Sequence, residues 1–231
     1  KQKIYVYIQS PEDLEFQTLG RLTVHNGVGQ WIYSPNYNGL WVPDELHYPL
    51  RSEEYLVTSN NGIPGFIMDL MPDSWGKSLI KRLLAPTLDR ELTDIDYLRL
   101  SQNADRFGNL TIGERRNPPK NSTAESFQRF NKISNFIELV DKVRSGEPID
   151  RVNLALFQTS SLGGARPKIT LRDDDYLYLA KPKDADDVVD TPTVEYLCLK
   201  FASSKGLHVC NFLHETLSYL DIPRNLLILT R

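Results

Sequence analysis

The chain has 231 residues, 40% of them hydrophobic and 25% charged, with a net charge of −3. That is enough sequence for one large domain or two small ones with a sizeable core, and the mild negative balance excludes a chain that grips nucleic acid by itself through a broad basic face. No apolar run approaches the ~20 residues that cross a bilayer, and the opening at residues 1–8 is strand-like rather than a signal peptide, so the expected compartment is the cytoplasm.

In chain order, alternating apolar and polar residues over 3–9, 19–24 and 30–34, separated by Pro, Asn and Gly turns, predict a small antiparallel sheet. Helical spacing follows at 74–84, where Asp73 can cap the amino end and Pro86 stops the run, and at 93–102. A short strand is expected at 109–113. The polar stretch 114–121, with two prolines and four charges, reads as a linker. It divides the chain into an amino-terminal part, 1–115, and a second part, 116–231. Starting at Lys1 rather than Met, the chain reads as trimmed or partial.

Beyond the linker, Ser122-Thr123-Ala124-Glu125 fits a capping box, and Phe127, Phe130, Ile133, Phe136, Ile137 and Val140 recur at helical spacing until Gly146 and Pro148. A second short helix is expected at 150–157. Two strands, 168–172 and 176–180, are joined by Asp173-Asp174-Asp175, which reads as a solvated hairpin tip because three consecutive carboxylates do not converge on a cation. A helix at 193–204 is expected to bury Val194, Leu197, Cys198 and Phe201, with Gly206 closing it. Cys198 and Cys210 are both expected as buried, reduced thiols. Two strand-like runs end the chain.

The chemistry concentrates at Ser160-Ser161-Leu162-Gly163-Gly164-Ala165-Arg166-Pro167-Lys168. Adjacent glycines let backbone N–H groups approach a polyphosphate, and Arg166 and Lys168 can neutralise its charge. Downstream, Lys181 sits near the end of an apolar run and Glu195 near the start of a helix. A glycine-rich loop, a strand lysine and a helix glutamate, in that order, form the layout of a kinase N-lobe.

These residues also carry a family resemblance. The SSLGGARPK loop, the YLAKPK strand end, the VEYLCLKFA helix and the terminal LLILTR resemble the HipA family of serine/threonine kinase toxins. GFIMDLMPDSWG at 65–76 and DRFGNL at 105–110 resemble that family's two amino-terminal signatures. The resemblance implies a mixed α/β chain of α+β type, with a small amino-terminal sheet-and-helix subdomain followed by a protein-kinase-like N-lobe. It implies ATP with magnesium as cofactors. Leu162, Gly163, Gly164, Ala165, Arg166 and Lys168 would hold the phosphates, Lys181 would clamp them in an ion pair with Glu195, and Thr230 and Arg231 would approach the adenine. Ser161, with Ser160 as second candidate, matches the position of inhibitory autophosphorylation. The implied partners are a HipB-like helix-turn-helix antitoxin and a protein substrate, with DNA reached only through the antitoxin and no membrane.

Two departures accompany the match. Arg166 and Pro167 make the loop stiffer and more cationic, and no counterpart of the family's catalytic aspartate or magnesium ligands follows residue 195. The sequence therefore reads as the ATP-binding half of a kinase, inactive alone. A non-catalytic module that docks on an antitoxin or on a separate kinase chain is the alternative, and a P-loop NTPase is a weaker third, because the loop lacks the Gly-Lys-Ser/Thr ending.

Overall fold

The computed structural model describes the chain except for residues 38, 40, 85–88, 102, 105, 107, 119–126, 148–165, 220 and 221. It is a mixed α+β protein, with two five-stranded sheets and, among the described residues, five α-helices. The chain divides into two compact units. Lys1–Pro72 joins Leu88–Thr123, and Asp73–Thr87 joins Ala124–Arg231, so the helix that follows Asp73 belongs with the later residues rather than with the first 115.

In the first unit, strands β1 (Gln2–Gln9), β2 (Phe16–His25), β3 (Val28–Tyr33), β4 (Tyr55–Val57) and β5 (Leu110–Gly113) form a sheet of order β4-β3-β2-β1-β5. All of its pairings are antiparallel. Alternation decides which face is buried: Ile4, Val6 and Ile8 of β1, Leu22 of β2 and Trp31 of β3 turn into the core. Trp31 is wholly buried and meets Tyr33 and Phe66 edge-on, at centroid distances of 5.3 and 5.4 Å. Gly29 has to be glycine, because a Cβ there would lie 1.8 Å from the Gly62 carbonyl oxygen. Helices α1 (Gly65–Met68) and α3 (Asp94–Leu100) cover the core side with Phe66, Ile67, Ile95 and Leu98. The capping box that starts α3 is Thr93 with Asp96.

The second unit contains α2 (Ser74–Leu84), β6 (Gln128–Arg129), α4 (Ile133–Ser145), β7 (Ile169–Arg172), β8 (Leu177–Pro182), α5 (Thr191–Ser204), β9 (Phe212–Tyr219) and β10 (Ile222–Thr230). Its sheet runs β6-β7-β8-β10-β9. β6 is parallel to β7, and the other pairings are antiparallel. Asp73 caps α2 as expected, its Oδ1 accepting from the Gly76 amide at 2.6 Å. One sheet face, with Ile169, Leu171, Ala180, Leu226 and Ile228, packs against Trp75 and Leu79 of α2 and against Ile133, Phe136, Leu139 and Val140 of α4. Helix α4 ends at Gly146 in the left-handed conformation, φ 84°. Its last carbonyls receive Arg82 of α2, which donates to the oxygens of Val143 at 2.8 Å and Glu147 at 3.0 Å.

The acidic run at 173–175 is a hairpin tip between β7 and β8, with Asp173 accepting from the amides of Asp175 and Tyr176 and from the Tyr178 hydroxyl. The capping box at 122–125 and the helix at 150–157 lie outside the described residues. Three expectations are overturned. The helix expected to run from the 122–125 box through Phe127 and Phe130 starts only at Ile133, because Gln128–Arg129 pairs with β7 as a strand and Phe130–Lys132 is a single tight turn. Cys198 and Cys210 are both exposed, and Val194, Leu197 and Phe201 are 44%, 55% and 65% exposed. Helix α5 carries two apolar faces, and the one it turns to the sheet has Pro192, Tyr196 and Leu199. No helix among the described residues is long and apolar enough to cross a membrane.

Candidate functional site

The face of the second sheet opposite the α2–α4 core carries Lys181, whereas Thr230, two residues on from Ile228 and paired with Tyr178, lies on the core face. β8 pairs with β10 so that Lys181 stands beside Leu227, and α5 enters the chain between β8 and β9. The helix is fixed on β9 and β10 by polar bonds at its first turn. Asp190 accepts from the Thr193 amide at 3.2 Å and from the Asn225 side-chain amide, Thr193 Oγ1 meets His214 Nε2 at 2.8 Å, and Pro192 occupies the first turn, where its missing N–H costs nothing. One turn further in, the Tyr196 ring packs against Phe212 and His214, with centroids 5.6 and 5.1 Å away. The residue between these anchors, Glu195, is thereby aimed at the middle of the sheet.

There Glu195 Oε1 accepts from Lys181 Nζ at 2.5 Å, with the two side chains 36% and 26% exposed. The carboxylate occupies one of the ammonium's three donors. Lys168, just before β7, interacts with both members of that pair and with Asp73. Burial pushes the Lys168 ammonium down, Lys181 pushes it further in the same direction, and the two carboxylates oppose the shift. Burial likewise pushes Asp73 up, against the bond from the Gly76 amide and the attraction of Lys168. Asp73 Oδ2 is buried without a hydrogen bond among the described residues. Asp73, Lys168, Lys181 and Glu195 thus form a half-buried cluster of alternating sign.

Two further predicted residues lie at the other end of the strands. Thr230 pairs with Tyr178, and its amide donates to the Asn211 carbonyl at 2.9 Å. Arg231 donates from its backbone to Leu177 O at 2.8 Å and from Nη1 to the wholly buried Thr170 at 3.0 Å. Arg231 is four residues along from the partner of Lys181, about 13 Å at strand rise. Arg166 is bound to Asp187 at 3.0 Å, so it is held to the loop that leads into α5. Ser160, Ser161, Leu162, Gly163, Gly164 and Ala165 lie outside the described residues.

Sequence reading missed how that loop is built. Asp184, 2% exposed, takes a two-pronged ion pair from Arg144 of α4, and Asp187 holds both Arg166 and the Asp184 amide. The run of aspartates at 184–187 was the available signal, but their partners lie far off in sequence. Asp73, legible only as a helix cap, also belongs to the charge cluster.

Comparison of the chain with protein-family models, with curated proteins and with solved structures finds no match.

Proposed function

We propose that this chain is the nucleotide-binding half of a HipA-like serine/threonine protein kinase, the toxin of a toxin–antitoxin pair. The observation that carries the reading is the Lys181–Glu195 ion pair, 2.5 Å long, between the third strand of a five-stranded sheet and the helix that precedes its last two strands. Protein kinases use a lysine and a glutamate from those two kinds of element to hold the α- and β-phosphates of ATP. Lys168 adds a second ammonium in a partly dehydrated place, where an anion is held more firmly than in water. Arg231, on the same sheet face about 13 Å along the strand, is the residue that this reading assigns to the adenine.

The donor set fits phosphate. It does not fit magnesium: among the described residues no three His, Cys, Asp or Glu side chains gather, so no step is routed through that ion. In this reading the catalytic aspartate and the magnesium ligands belong to a further lobe, and the residues here bind and orient the nucleotide, with Lys181 drawing charge off the phosphates and Glu195 fixing its position. Ser161, or Ser160, is the regulatory phosphorylation site. A phosphate there carries about −1.5 to −2 charges and competes with the nucleotide for the same cations. A HipB-like helix-turn-helix antitoxin is the partner through which DNA is reached.

The test is titration of ATP into the 1–231 chain followed by amide NMR. Shifts at Lys168, Lys181 and Glu195 with a dissociation constant of roughly 1 mM are expected, and Lys181→Ala weakens binding about tenfold or more with the spectrum of the fold unchanged. Absence of shifts at these three residues up to about 10 mM ATP overturns the reading.

A further inference from the structure

Asparagine is depleted in strand interiors, yet Asn225 stands half-buried inside β10, directly before the apolar run Leu226-Leu227-Ile228-Leu229. Its side chain lies on the same sheet face as Leu227, the residue beside Lys181. Both of its side-chain polar atoms are engaged. Oδ1 accepts from the Thr216 hydroxyl at 2.7 Å, and Nδ2 donates to Asp190 Oδ2 and, more weakly, to Thr193 Oγ1 at 3.4 Å. The main-chain oxygen of Asn225 accepts from the Lys183 amide at 2.8 Å.

These bonds reach both members of the Lys181–Glu195 pair from one point. On the lysine side, the Lys183 bond carries the β8–β10 ladder two residues past Lys181. On the glutamate side, Asp190 is the N-cap of α5 and accepts from the Thr193 amide at 3.2 Å, so the bond from Asn225 pins the end of the helix whose next turn carries Glu195. The orientation of the amide follows from chemistry. A carboxylate only accepts, so Asp190 takes the Nδ2 side, and the Thr216 hydroxyl donates to Oδ1. Aspartate at 225 would not serve, because it would set a second carboxylate against Asp190.

We infer that Asn225 is a positioning residue of the Lys181–Glu195 pair, which fixes lysine against glutamate by tying the end of β8 and the cap of α5 to one point on β10. For its effect on nucleotide the inference rests on the reading of that pair as a phosphate clamp. For its effect on the pair it rests on the bonds alone. Asn225 acts through Lys181 and Glu195 and not on the nucleotide, because its own side-chain donor and acceptor are occupied.

The experiment exchanges the two partners in the 1–231 chain. Asn225→Asp sets two carboxylates together, and Asp190→Asn added to it restores a donor and an acceptor with their roles reversed, while asparagine remains a good N-cap. The carbon NMR signal of the Glu195 carboxylate, read without nucleotide, should move in Asn225→Asp toward its position in Lys181→Ala and return in the exchanged double variant. ATP affinity should fall about tenfold in Asn225→Asp and recover to within about threefold of wild type in the double variant. Thr216→Val, at an exposed strand position that suits valine, removes only the donor that orients the amide. It should shift the Glu195 signal the same way and weaken ATP binding about threefold at an unchanged melting temperature. A Glu195 signal indifferent to both Asn225→Asp and Thr216→Val overturns the proposal, as does a double variant that regains its melting temperature but not the Glu195 signal. A signal that follows the exchange while no chain, wild type included, binds ATP upholds the positioning of the pair and overturns the phosphate-clamp reading instead.

Discussion

Arg144 and Asp184 lie 40 residues apart in sequence and meet in a two-pronged ion pair, Nε to Oδ1 at 3.0 Å and Nη2 to Oδ2, with the Asp184 carboxylate buried. This bond ties α4, which builds the core on one side of the second sheet, to the loop that delivers α5 to the other side. Removing the cation leaves a buried charge without its partner. Arg144→Ala is expected to destabilise the second unit by about 3–5 kcal/mol in urea unfolding. Arg144→Lys, which keeps charge but not the fork, should recover part of that loss.

Arg106 performs the corresponding task in the first unit with carbonyls instead of a carboxylate. It donates to Leu98 O at 2.6 Å, Ser101 O at 3.0 Å, Leu70 O and Asn103 Oδ1 at 2.9 Å, so it gathers the carbonyls at the end of α3 and the turn after α1. Burial lowers its guanidinium to about 10, still charged at neutral pH. Arg106→Ala should cost about 2–4 kcal/mol through the acceptors it strands, read as a fall in midpoint denaturant concentration at unchanged slope.

Asp96 gives the first unit a dependence on acid. Its carboxylate accepts from Arg90 at 2.6 and 2.9 Å, from the Thr93 amide at 2.9 Å and from the Thr93 hydroxyl at 2.7 Å. The Arg90 bonds, helped by Thr93 and opposed by burial, hold it well below the usual carboxylate range. A folded-state value below the unfolded one contributes stability that is present above the unfolded pKa and lost as pH falls toward the folded value. Unfolding free energy should therefore drop between about pH 5 and pH 2, and Asp96→Asn should cost about 1–2 kcal/mol at pH 7 and flatten that slope. Asp73 has the opposite sign, since burial raises it: its protonation favours the fold, so Asp73→Asn should not reproduce the acid loss.

Strands with clean alternation, such as 3–9 within Gln2–Gln9, and helices with a cap and a stop, such as Ser74–Leu84, were legible because local periodicity decides them. The three-residue strand Tyr55–Val57 was not, because its pattern is too short to register and its place is set by pairing with β3. Helix α5 shows a different limit. Val194, Leu197, Cys198 and Phe201 form as good an apolar stripe as Pro192, Tyr196, Leu199 and Ala202, and periodicity cannot rank two such faces. The rings of Phe212 and His214 settle which one turns inward. In the candidate site, the Lys181–Glu195 contact was expected from order along the chain. The ties of Arg166 to Asp187 and of Lys168 to Asp73 depend on tertiary placement that no spacing encodes.

The Lys181–Glu195 pair yields the last prediction, which separates a phosphate clamp from a structural ion pair. Both side chains are partly exposed, so the pair contributes at most about 1 kcal/mol to folding. If it is a clamp, Glu195 acts by positioning Lys181 and not by touching nucleotide. Glu195→Gln keeps a hydrogen-bond acceptor for the ammonium and should weaken ATP binding by less than Glu195→Ala, while Lys181→Ala should weaken it more than either, and none of the three should move the melting temperature by more than about 2–4 °C. Glu195→Ala combined with Lys181→Ala should be no worse than Lys181→Ala alone, because the glutamate has nothing left to position. Additive losses in the double variant would mean that Glu195 reaches the nucleotide independently. Large stability losses with unaltered ATP binding would mean that the pair serves only the packing of α5 on its sheet.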